Sequence, residues 1–234
     1  MSTIVNPTTP DSSTPLPGGG LEIVGFENQD NSLNGSNLDD IITGGNNDSI
    51  DAGLGNDTVF GLSGDDTILG GPGNDTVNAG GGDDSVIGGA GEDTLFGSSG
   101  DDFLSGRLGN DSLRGGKGDD TLKGNRGDDF IKGGTGDDLL IGGLGDDTLR
   151  GGNGSDTLQG GRGNDVFEFI ARHSGIDTIE DFQVNRDTID LSDFGVTSAD
   201  VNYNSSTGEL SVNGNIIAQL DAGLNITDDN FELG

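Results

Sequence analysis

The chain has 234 residues, of which 47 are Gly and 42 are Asp or Glu, and its net charge is −32. With only 10 Lys or Arg it is not predicted to bind nucleic acid, and without an apolar run of about 18 residues it is not predicted to span a membrane. The absence of Cys and the single His exclude disulfides, thiolate chemistry and histidine-based metal clusters.

Residues 1–33 are predicted to form a flexible N-terminal tail. The first 20 residues are rich in Pro, Ser, Thr and Gly, and they have neither the basic start nor the apolar stretch of a secretory signal. A segment that begins at Gly25 keeps Asp30 in the register of the repeats that follow, but it has Ser32 where they have an aliphatic residue. We interpret this segment as a decayed or capping repeat.

A nine-residue repeat runs from Asn34 to Glu168 in fifteen consecutive copies, without a slip. We number positions one to nine in each copy, as in GGPGNDTVN from Gly70. Position six is Asp in all fifteen copies, and position eight is aliphatic in fourteen and Phe167 in the last. Position four is Gly in thirteen copies, and positions one and two are Gly in eleven each.

This pattern predicts the fold of the repeats. Position eight is the one regularly apolar site, so positions seven to nine form a short strand with the middle side chain inward. The other six positions are rich in Gly, Asn and Asp and form a turn. We therefore predict an all-β protein, a parallel β-roll (β-solenoid) of about 15 repeats with two repeats per turn.

The nonapeptide resembles the repeats-in-toxin (RTX, haemolysin-type) calcium-binding family, and the resemblance covers residues 34–168. It implies that the turns bind Ca²⁺. The physical argument agrees, because each position-six carboxylate is predicted to lie one strand spacing from the next, and such rows repel unless cations separate them. Oxygen ligands without His or Cys favour Ca²⁺ over transition metals.

The predicted metal ligands are the position-six aspartates, with at most about 13 ions between alternate repeats. They are Asp39, Asp48, Asp57, Asp66, Asp75, Asp84, Asp93, Asp102, Asp111, Asp120, Asp129, Asp138, Asp147, Asp156 and Asp165. The alternative is that these side chains only cap turns, but Asn or Ser would do that equally well. Position five, mostly Asp or Asn, is interpreted as a solvated turn residue, with a ligand as the alternative.

Residues 169–234 are predicted to form a β-rich C-terminal cap. Asn213-Gly214 lies between alternating apolar residues, which indicates a hairpin. The segment from Asp177 to Phe194 is similar to the one that follows the repeats in serralysin-type proteases, where it caps the roll. The last residues, 228–234, resemble the uncleaved tails that type I secretion machinery reads. His173 is interpreted as a surface histidine.

Basic residues are confined to the second half of the chain, since residues 1–106 contain no Lys or Arg. Position nine of alternate copies reads Ile42, Phe60, Asn78, Phe96, Arg114, Lys132 and Arg150. One interpretation is that the cations only dilute the negative charge. The other is a groove for an acidic polysaccharide, and the repeat modules of alginate epimerases have a similar architecture.

We expect a secreted, non-enzymatic calcium-binding protein that folds on binding Ca²⁺ and acts as an extracellular structural or surface-matrix module. The alternative is an accessory of a type I secretion system that binds a polysaccharide or another partner. No triad or metalloprotease motif occurs, so enzyme activity is not expected. Ice binding would need a row of Thr at position three, where only Thr135 fits.

Overall fold

The computed structural model describes residues 14–26 and 28–234, and these residues form an all-β solenoid. Two twelve-stranded sheets face each other, and successive strands of the repeats alternate between them. The predicted β-roll with two repeats per turn is confirmed. No helix in the described part of the chain is long and apolar enough to cross a membrane.

The strands, numbered in chain order, have the following bounds. They are β1 (Thr14–Pro15), β2 (Leu21–Val24), β3 (Ser32–Ser36), β4 (Ile41–Gly45), β5 (Ser49–Gly53), β6 (Thr58–Ser63), β7 (Thr67–Pro72), β8 (Thr76–Gly81), β9 (Ser85–Ala90), β10 (Thr94–Ser99), β11 (Phe103–Leu108), β12 (Ser112–Lys117), β13 (Thr121–Arg126), β14 (Phe130–Thr135), β15 (Leu139–Leu144), β16 (Thr148–Asn153), β17 (Thr157–Arg162), β18 (Val166–Glu168), β19 (Asp177–Ile179), β20 (Thr188–Leu191), β21 (Val201–Asn204), β22 (Glu209–Val212), β23 (Asn215–Gln219) and β24 (Phe231–Leu233). Short 3-10 turns cover Ser192–Phe194, Ser198–Asp200 and Asp228–Asn230.

The first sheet has the order β1-β2-β4-β6-β8-β10-β12-β14-β16-β18-β20-β24. The second has the order β21-β22-β23-β19-β17-β15-β13-β11-β9-β7-β5-β3. From β5 to β18 every pairing between repeats is parallel and joins residues 18 apart, as where Leu95 of β10 pairs with Val77 on one side and Leu113 on the other. The first pairings, of β3 with β5 and of β4 with β6, are also parallel but join residues 17 apart. Each full coil therefore contains two repeats.

The strands are longer than the sequence predicts. Most repeat strands have six residues and run from position seven through position three of the next copy, as in Thr94–Ser99. The prediction of three-residue strands was wrong because glycines at positions one and two can be extended and still lie against the neighbouring coil. The turn is thereby reduced to positions four to six.

The core of the roll contains one large apolar side chain from each repeat, and these side chains stack along each sheet. The position-eight residues from Val59 to Phe167 are almost fully buried, with at most 1% exposure. Each aliphatic side chain stacks on the residue 18 positions away and faces the opposite sheet. Because each nonapeptide buries little more than this one large apolar side chain, hydrophobic burial alone supports the roll weakly.

The structure corrects the register of the first repeat. Ile42 is fully buried and Ile41 is 39% exposed, so eight residues, not nine, separate the inward positions Ile42 and Ile50. Asp40 thus takes the buried position-six place that was predicted for Asp39, and Thr43 replaces Ile42 in the outward row, where it pairs with Phe60. The slip lies at the end of β4, which stops at Gly45 opposite Leu62 and lacks the position-three residue, whereas the turn of residues 46–48 is as long as most later turns.

The same slip shifts the repeat register of the segment that precedes the repeats by one residue. Asn31, not Asp30, takes the position-six place, and buried Leu33, not Ser32, takes position eight and pairs with Ile50. The described part of the predicted tail is not a tail, because β1, β2 and β3 belong to the two sheets. The rest of that prediction, residues 1–13, lies outside the described residues.

The C-terminal segment adds the last strands to both sheets. Strands β19 and β20 pair in parallel with β17 and β18, whereas β21, β22 and β23 form an antiparallel meander. The hairpin at Asn213-Gly214 is present, with both residues at positive φ. The tail strand β24 pairs with β20, so the last residues are part of the first sheet.

The cap, residues 169–234, has a thicker core than the roll. Phe169, Phe182 and Leu210 are among its buried residues, and the Phe182 ring lies 6.0 Å from that of Phe167 in the last repeat. His173 is only partly exposed, and its ring lies 5.8 Å from the ring of Phe169 and 6.2 Å from that of Phe194. It therefore packs between aromatic rings rather than standing free on the surface.

Candidate metal centres

The position-six aspartates form two buried rows, one along each side of the roll. From Asp48 to Asp165 their exposure is at most 3%. Each carboxylate joins two coils, because its Oδ1 accepts a hydrogen bond from the backbone N–H of the aspartate one coil earlier. Asp84 donates to Asp102 over 2.9 Å, and Asp102 donates to Asp120 over 2.9 Å.

The second oxygen of most of these carboxylates has no protein donor. In the described residues, Oδ2 of thirteen position-six aspartates is buried and lacks a hydrogen-bond partner. They are Asp57, Asp66, Asp75, Asp84, Asp93, Asp102, Asp111, Asp120, Asp129, Asp138, Asp147, Asp156 and Asp165. A buried carboxylate oxygen without a partner is costly, so each of these atoms calls for a cation or a proton.

In eleven of these thirteen copies glycine at position one leaves the space into which Oδ2 points, and Ala52 and Ala79 occupy position one in the other two. A Cβ built on Gly70 would lie 2.5 Å from Oδ2 of Asp75 and 2.7 Å from the carbonyl oxygen of Gly88 in the next coil. A carboxylate oxygen and a carbonyl oxygen of successive coils thus converge in front of position one. These are the hard oxygen ligands that Ca²⁺ takes in adaptable geometry.

Burial raises the pKa of these carboxyl groups in the metal-free coil. Burial raises the pKa of Asp102 to about 7; the backbone N–H of Asp84 partly offsets this, and nearby carboxylates, that of Asp84 first, raise it further. The same causes raise the pKa of Asp138 to about 8. Near neutral pH the carboxyl groups of the two rows can therefore bind either a proton or a cation.

The carboxylates are spread along the rows rather than gathered in clusters. Within residues 14–26 and 28–234, no group of three or more His, Cys, Asp or Glu side chains could hold a metal ion. Each site would thus combine one or two position-six carboxylates with backbone carbonyl oxygens. The residues fit Ca²⁺ in this form, since it accepts carbonyl oxygens and water beside carboxylates.

The two ends of the rows differ from the middle. Asp48 accepts hydrogen bonds at Oδ1 from the backbone and side chain of Asn31 and at Oδ2 from the backbone N–H of Gly45. Asp40 likewise has donors at both oxygens, from Leu21 and Ser36. These first carboxylates are satisfied by the protein itself, unlike the thirteen that follow.

Position five has a structural role that its interpretation as a solvated residue missed. These side chains are exposed, but their Oδ1 atoms accept the backbone N–H of position five in the next coil. Asp119 donates to Asp101 over 2.8 Å, and Asp128 donates to Asn110 over 2.8 Å. Asp39 belongs to this outer ladder, since it accepts from Asn56. Asn serves as well as Asp here, which explains why both occur.

Three aspartates in position-six places were missed by reasoning from the sequence. Asp40 was hidden by the one-residue slip. Asp177 and Asp187 continue the two rows into the cap, where they accept the N–H groups of Asp156 over 3.1 Å and Asp165 over 3.2 Å. The repeated Asp-Thr-Ile sequences at 177–179 and 187–189 match positions six to eight, and could have revealed them.

Comparison with known families agrees with this geometry. The family model described as RTX calcium-binding nonapeptide repeat (4 copies) matches in nine overlapping segments between residues 28 and 167, which is more than half of the chain. No curated protein matches the chain. The chain therefore belongs to the RTX calcium-binding repeat family, and its repeats are calcium-binding repeats.

Proposed function

We propose that the chain is a secreted, non-enzymatic module whose roll folds when Ca²⁺ binds along the position-six rows. The thirteen buried Oδ2 atoms without donors carry this proposal. In the metal-free chain those carboxylates disfavour the stacked coil, and the one-residue-deep core does not offset them. Bound Ca²⁺ would supply the missing positive charge and tie successive coils together.

The proposal is tested by circular dichroism of the full chain in EGTA and then in 10 mM CaCl₂, a concentration about ten times the Kd or more of extracellular calcium modules. We expect little β-sheet signal in EGTA and a cooperative gain on adding Ca²⁺. MgCl₂ at the same concentration is the control, because Mg²⁺ requires a tighter octahedral site and gives up its waters reluctantly. A full β-sheet spectrum in EGTA would refute calcium-coupled folding.

We further propose that the module acts outside the cell, as a structural or surface-matrix element, and is exported by type I secretion machinery that reads residues 228–234. The calcium-coupled folding proposed above is consistent with export, because a chain kept unfolded where Ca²⁺ is scarce would fold only after it leaves the cell. Deleting residues 228–234 should retain the protein in the producing cell. Because β24 pairs with β20, the deleted chain must also be shown to fold in CaCl₂ after purification. Continued export of the deleted chain would contradict the proposal.

A second candidate function is binding of an acidic polysaccharide, supported by the basic row, which comprises Arg114, Lys132 and Arg150. These residues occupy adjacent strands of the first sheet and pair in register. Arg150 forms an ion pair with Glu168, whereas Arg114 and Lys132 have no carboxylate partner in the described part of the chain. Beside the row lies a depression of about 480 Å³ lined by Phe96, Arg114 and Lys117, among others.

The polysaccharide candidate is tested on an array of acidic and neutral glycans in CaCl₂. Arg114→Glu with Lys132→Glu should abolish binding to acidic glycans. A matched control replaces Lys123 and Arg126 of the second sheet by Glu, which makes the same charge change on the opposite face. Equal losses in both variants would point to general electrostatic attraction instead of a site on the first sheet.

A further inference from the structure

The outer face of the second sheet has no acidic side chain on strands β7 to β17, although the chain contains 42 Asp or Glu residues. The acidic residues of the repeats lie mainly in the turns. On these strands position nine reads Leu69, Ile87, Ser105, Lys123, Ile141 and Gln159, and position three reads Pro72, Ala90, Leu108, Arg126, Leu144 and Arg162. This surface (the second-sheet face) therefore differs from the acidic turns on either side of it.

Several apolar side chains of the second-sheet face are open to solvent. Leu69, Leu108 and Leu144 are 40% to 49% exposed, and Ile87 and Ile141 are partly exposed. Grouped apolar side chains on an otherwise charged surface mark a site of interaction with a partner. A partner that covers this face would remove these side chains from water, which favours association.

The backbone is strained in the middle of the second-sheet face. Position two is Gly on β7, β9, β15 and β17, whereas β11 and β13 have Arg107 and Asn125 there, with φ of 84° and 81°. Such φ values are unfavourable for residues other than Gly. The Asn125 side chain donates to the hydroxyl of Ser105 over 3.1 Å, but the exposed Arg107 guanidinium has no hydrogen-bond or ion-pair partner among the described residues. Strain retained at an exposed cation indicates a function for its side chain.

We propose that the second-sheet face binds a second copy of this chain, in a dimer whose two-fold axis passes through Ser105 of β11. Such an axis reverses the order of the strands, so β7 of one copy lies opposite β15 of its partner. Leu69 then contacts the partner's Ile141, and Arg107 lies against the aromatic ring of the partner's Phe103. The dimer adds a partner to the calcium-loaded module proposed above, and it rests on the folding of that module.

Charge and area both fit a second copy as the occupant. The turns that enter the second sheet carry exposed position-five aspartates along one edge, namely Asp65, Asp83, Asp101, Asp119 and Asp137. The two-fold axis places this edge opposite the edge where the partner's strands end, so Arg126 lies opposite the partner's Asp83. The seven strands from β5 to β17 are about 4.8 Å apart and about 20 Å long, so each copy buries about 600 Å² and the total of about 1,200 Å² is at the lower end for specific interfaces. The first sheet stays open in this dimer.

Sedimentation velocity of the full chain in 10 mM CaCl₂, at chain concentrations from about 1 to 200 µM, measures the dimer, and we expect a reversible monomer–dimer equilibrium. Leu69→Glu and Ile141→Lys should each raise the dissociation constant at least about thirtyfold, because each places two charges in the apolar contact. An equimolar mixture of the two variants should restore the dimer, because one contact then joins opposite charges and the other keeps Leu69 and Ile141. The matched control is Phe60→Glu, which makes the same charge change at position nine of the first sheet, where Phe60 is 39% exposed, and should leave the dimer intact.

Circular dichroism in CaCl₂ separates the dimer from the proposed function. A wild-type chain that folds in CaCl₂ but stays monomeric at every concentration would overturn the dimer alone, whereas a chain that does not fold would overturn the proposed function as well. Association that Leu69→Glu and Phe60→Glu weaken equally, or that neither weakens, would overturn the second-sheet face as its site. A mixture that stays monomeric would overturn the axis at Ser105. If one of Leu69→Glu and Ile141→Lys does not fold, the other decides, because each changes both symmetry-related contacts.

Discussion

The buried position-six carboxylates find their hydrogen-bond partners differently in the middle of the roll and at its ends. At the ends, Asp40, Asp48 and Asp187 use both carboxylate oxygens to accept hydrogen bonds from protein donors. In the middle, thirteen aspartates use one oxygen in this way and leave the other buried and without a donor. The rows can end at these three carboxylates without a cation, whereas the middle has buried oxygens that can receive one.

The largest expected effect comes from removing an aspartate in the middle. Asp102 faces the coils of both Asp84 and Asp120, so Asp102→Ala should weaken two calcium sites. At ten times Kd each site adds about 1.4 kcal/mol, so the loss should be about 3 kcal/mol. Calcium titrations followed by far-ultraviolet circular dichroism measure it.

The controls for Asp102→Ala come from the end and from the outer ladder. Asp48→Ala should shift the calcium midpoint less, because both oxygens of Asp48 already have protein donors. Asp39→Ala and Asp101→Ala, both in the outer ladder, should shift it least. A shift in Asp101→Ala as large as that in Asp102→Ala would show that position five is the principal ligand.

The next largest loss of stability is expected where the backbones of two coils lie close together in the middle of the first sheet. Gly116 has φ of 130°, and a side chain there would overlap the carbonyl oxygen of Ser98 in the preceding coil. Gly116→Ser should therefore lower the free energy of unfolding by about 2 kcal/mol, as measured by urea denaturation in 10 mM CaCl₂. Gly214→Ser in the exposed cap hairpin is the control, since no atom lies within 4 Å of a Cβ at that residue.

Acidification should weaken calcium binding and stabilise the calcium-free roll. Burial raises the folded-state pKa of Asp102 to about 7, above its ordinary value of 3.8, so the calcium-free folded state binds more protons than the unfolded chain between these values. Its stability is therefore greatest at acid pH and is lost as the pH rises through about 7. Below that pH, Ca²⁺ must displace protons, and its apparent affinity should fall by up to about tenfold per pH unit.

Titrations at pH 5.5, 6.5, 7.5 and 8.5, with the β-sheet signal in EGTA recorded at each pH, test this dependence. The difference between calcium-free and calcium-loaded spectra should shrink toward acid pH. A calcium midpoint that stays constant from pH 5.5 to pH 8.5 would contradict proton competition at the rows.

The smallest expected effect comes from position two, where four copies have a residue other than glycine at positive φ, namely Leu62, Ser98, Arg107 and Asn125. Ser98→Gly removes backbone strain but also loses the hydrogen bond from Ser98 to Asn78 and adds freedom to the unfolded chain. We expect the free energy of unfolding to change by at most about 1 kcal/mol, measured by urea denaturation. A large destabilisation would show that the Ser98 side chain, rather than its backbone, determines local order.

Much of the fold follows from one position in the repeat. Because position eight alone is regularly apolar, the period indicates both the inward ladder and the two-repeat coil. The slip at Ile42 was not visible because Ile41 and Ile42 are both aliphatic, and only packing shows which of them is buried. Strand length was underestimated because glycine carries no side chain whose alternation could reveal a strand.

The candidate site was predicted at the level of residue type but not of individual atoms. An invariant Asp shows that a carboxylate is needed, but not that one oxygen is used by the neighbouring coil while the other has no donor. The equivalence of Asp177 to the repeat aspartates was obscured by three additional residues in the preceding turn. The insertion leaves the stacked strands in register, since Thr157 pairs with Thr178 and Leu158 with Ile179.

The most direct test of the central claim is anomalous diffraction from crystals of the full chain grown in CaCl₂. The account predicts two rows of Ca²⁺ along the roll, each ion about 2.3–2.6 Å from an Oδ2 atom of the middle aspartates. It also predicts no ion bonded to Asp48 or Asp187, whose oxygens are occupied by protein donors. Ions bound to the exposed position-five side chains, with the Oδ2 atoms of the rows left unbound, would contradict it.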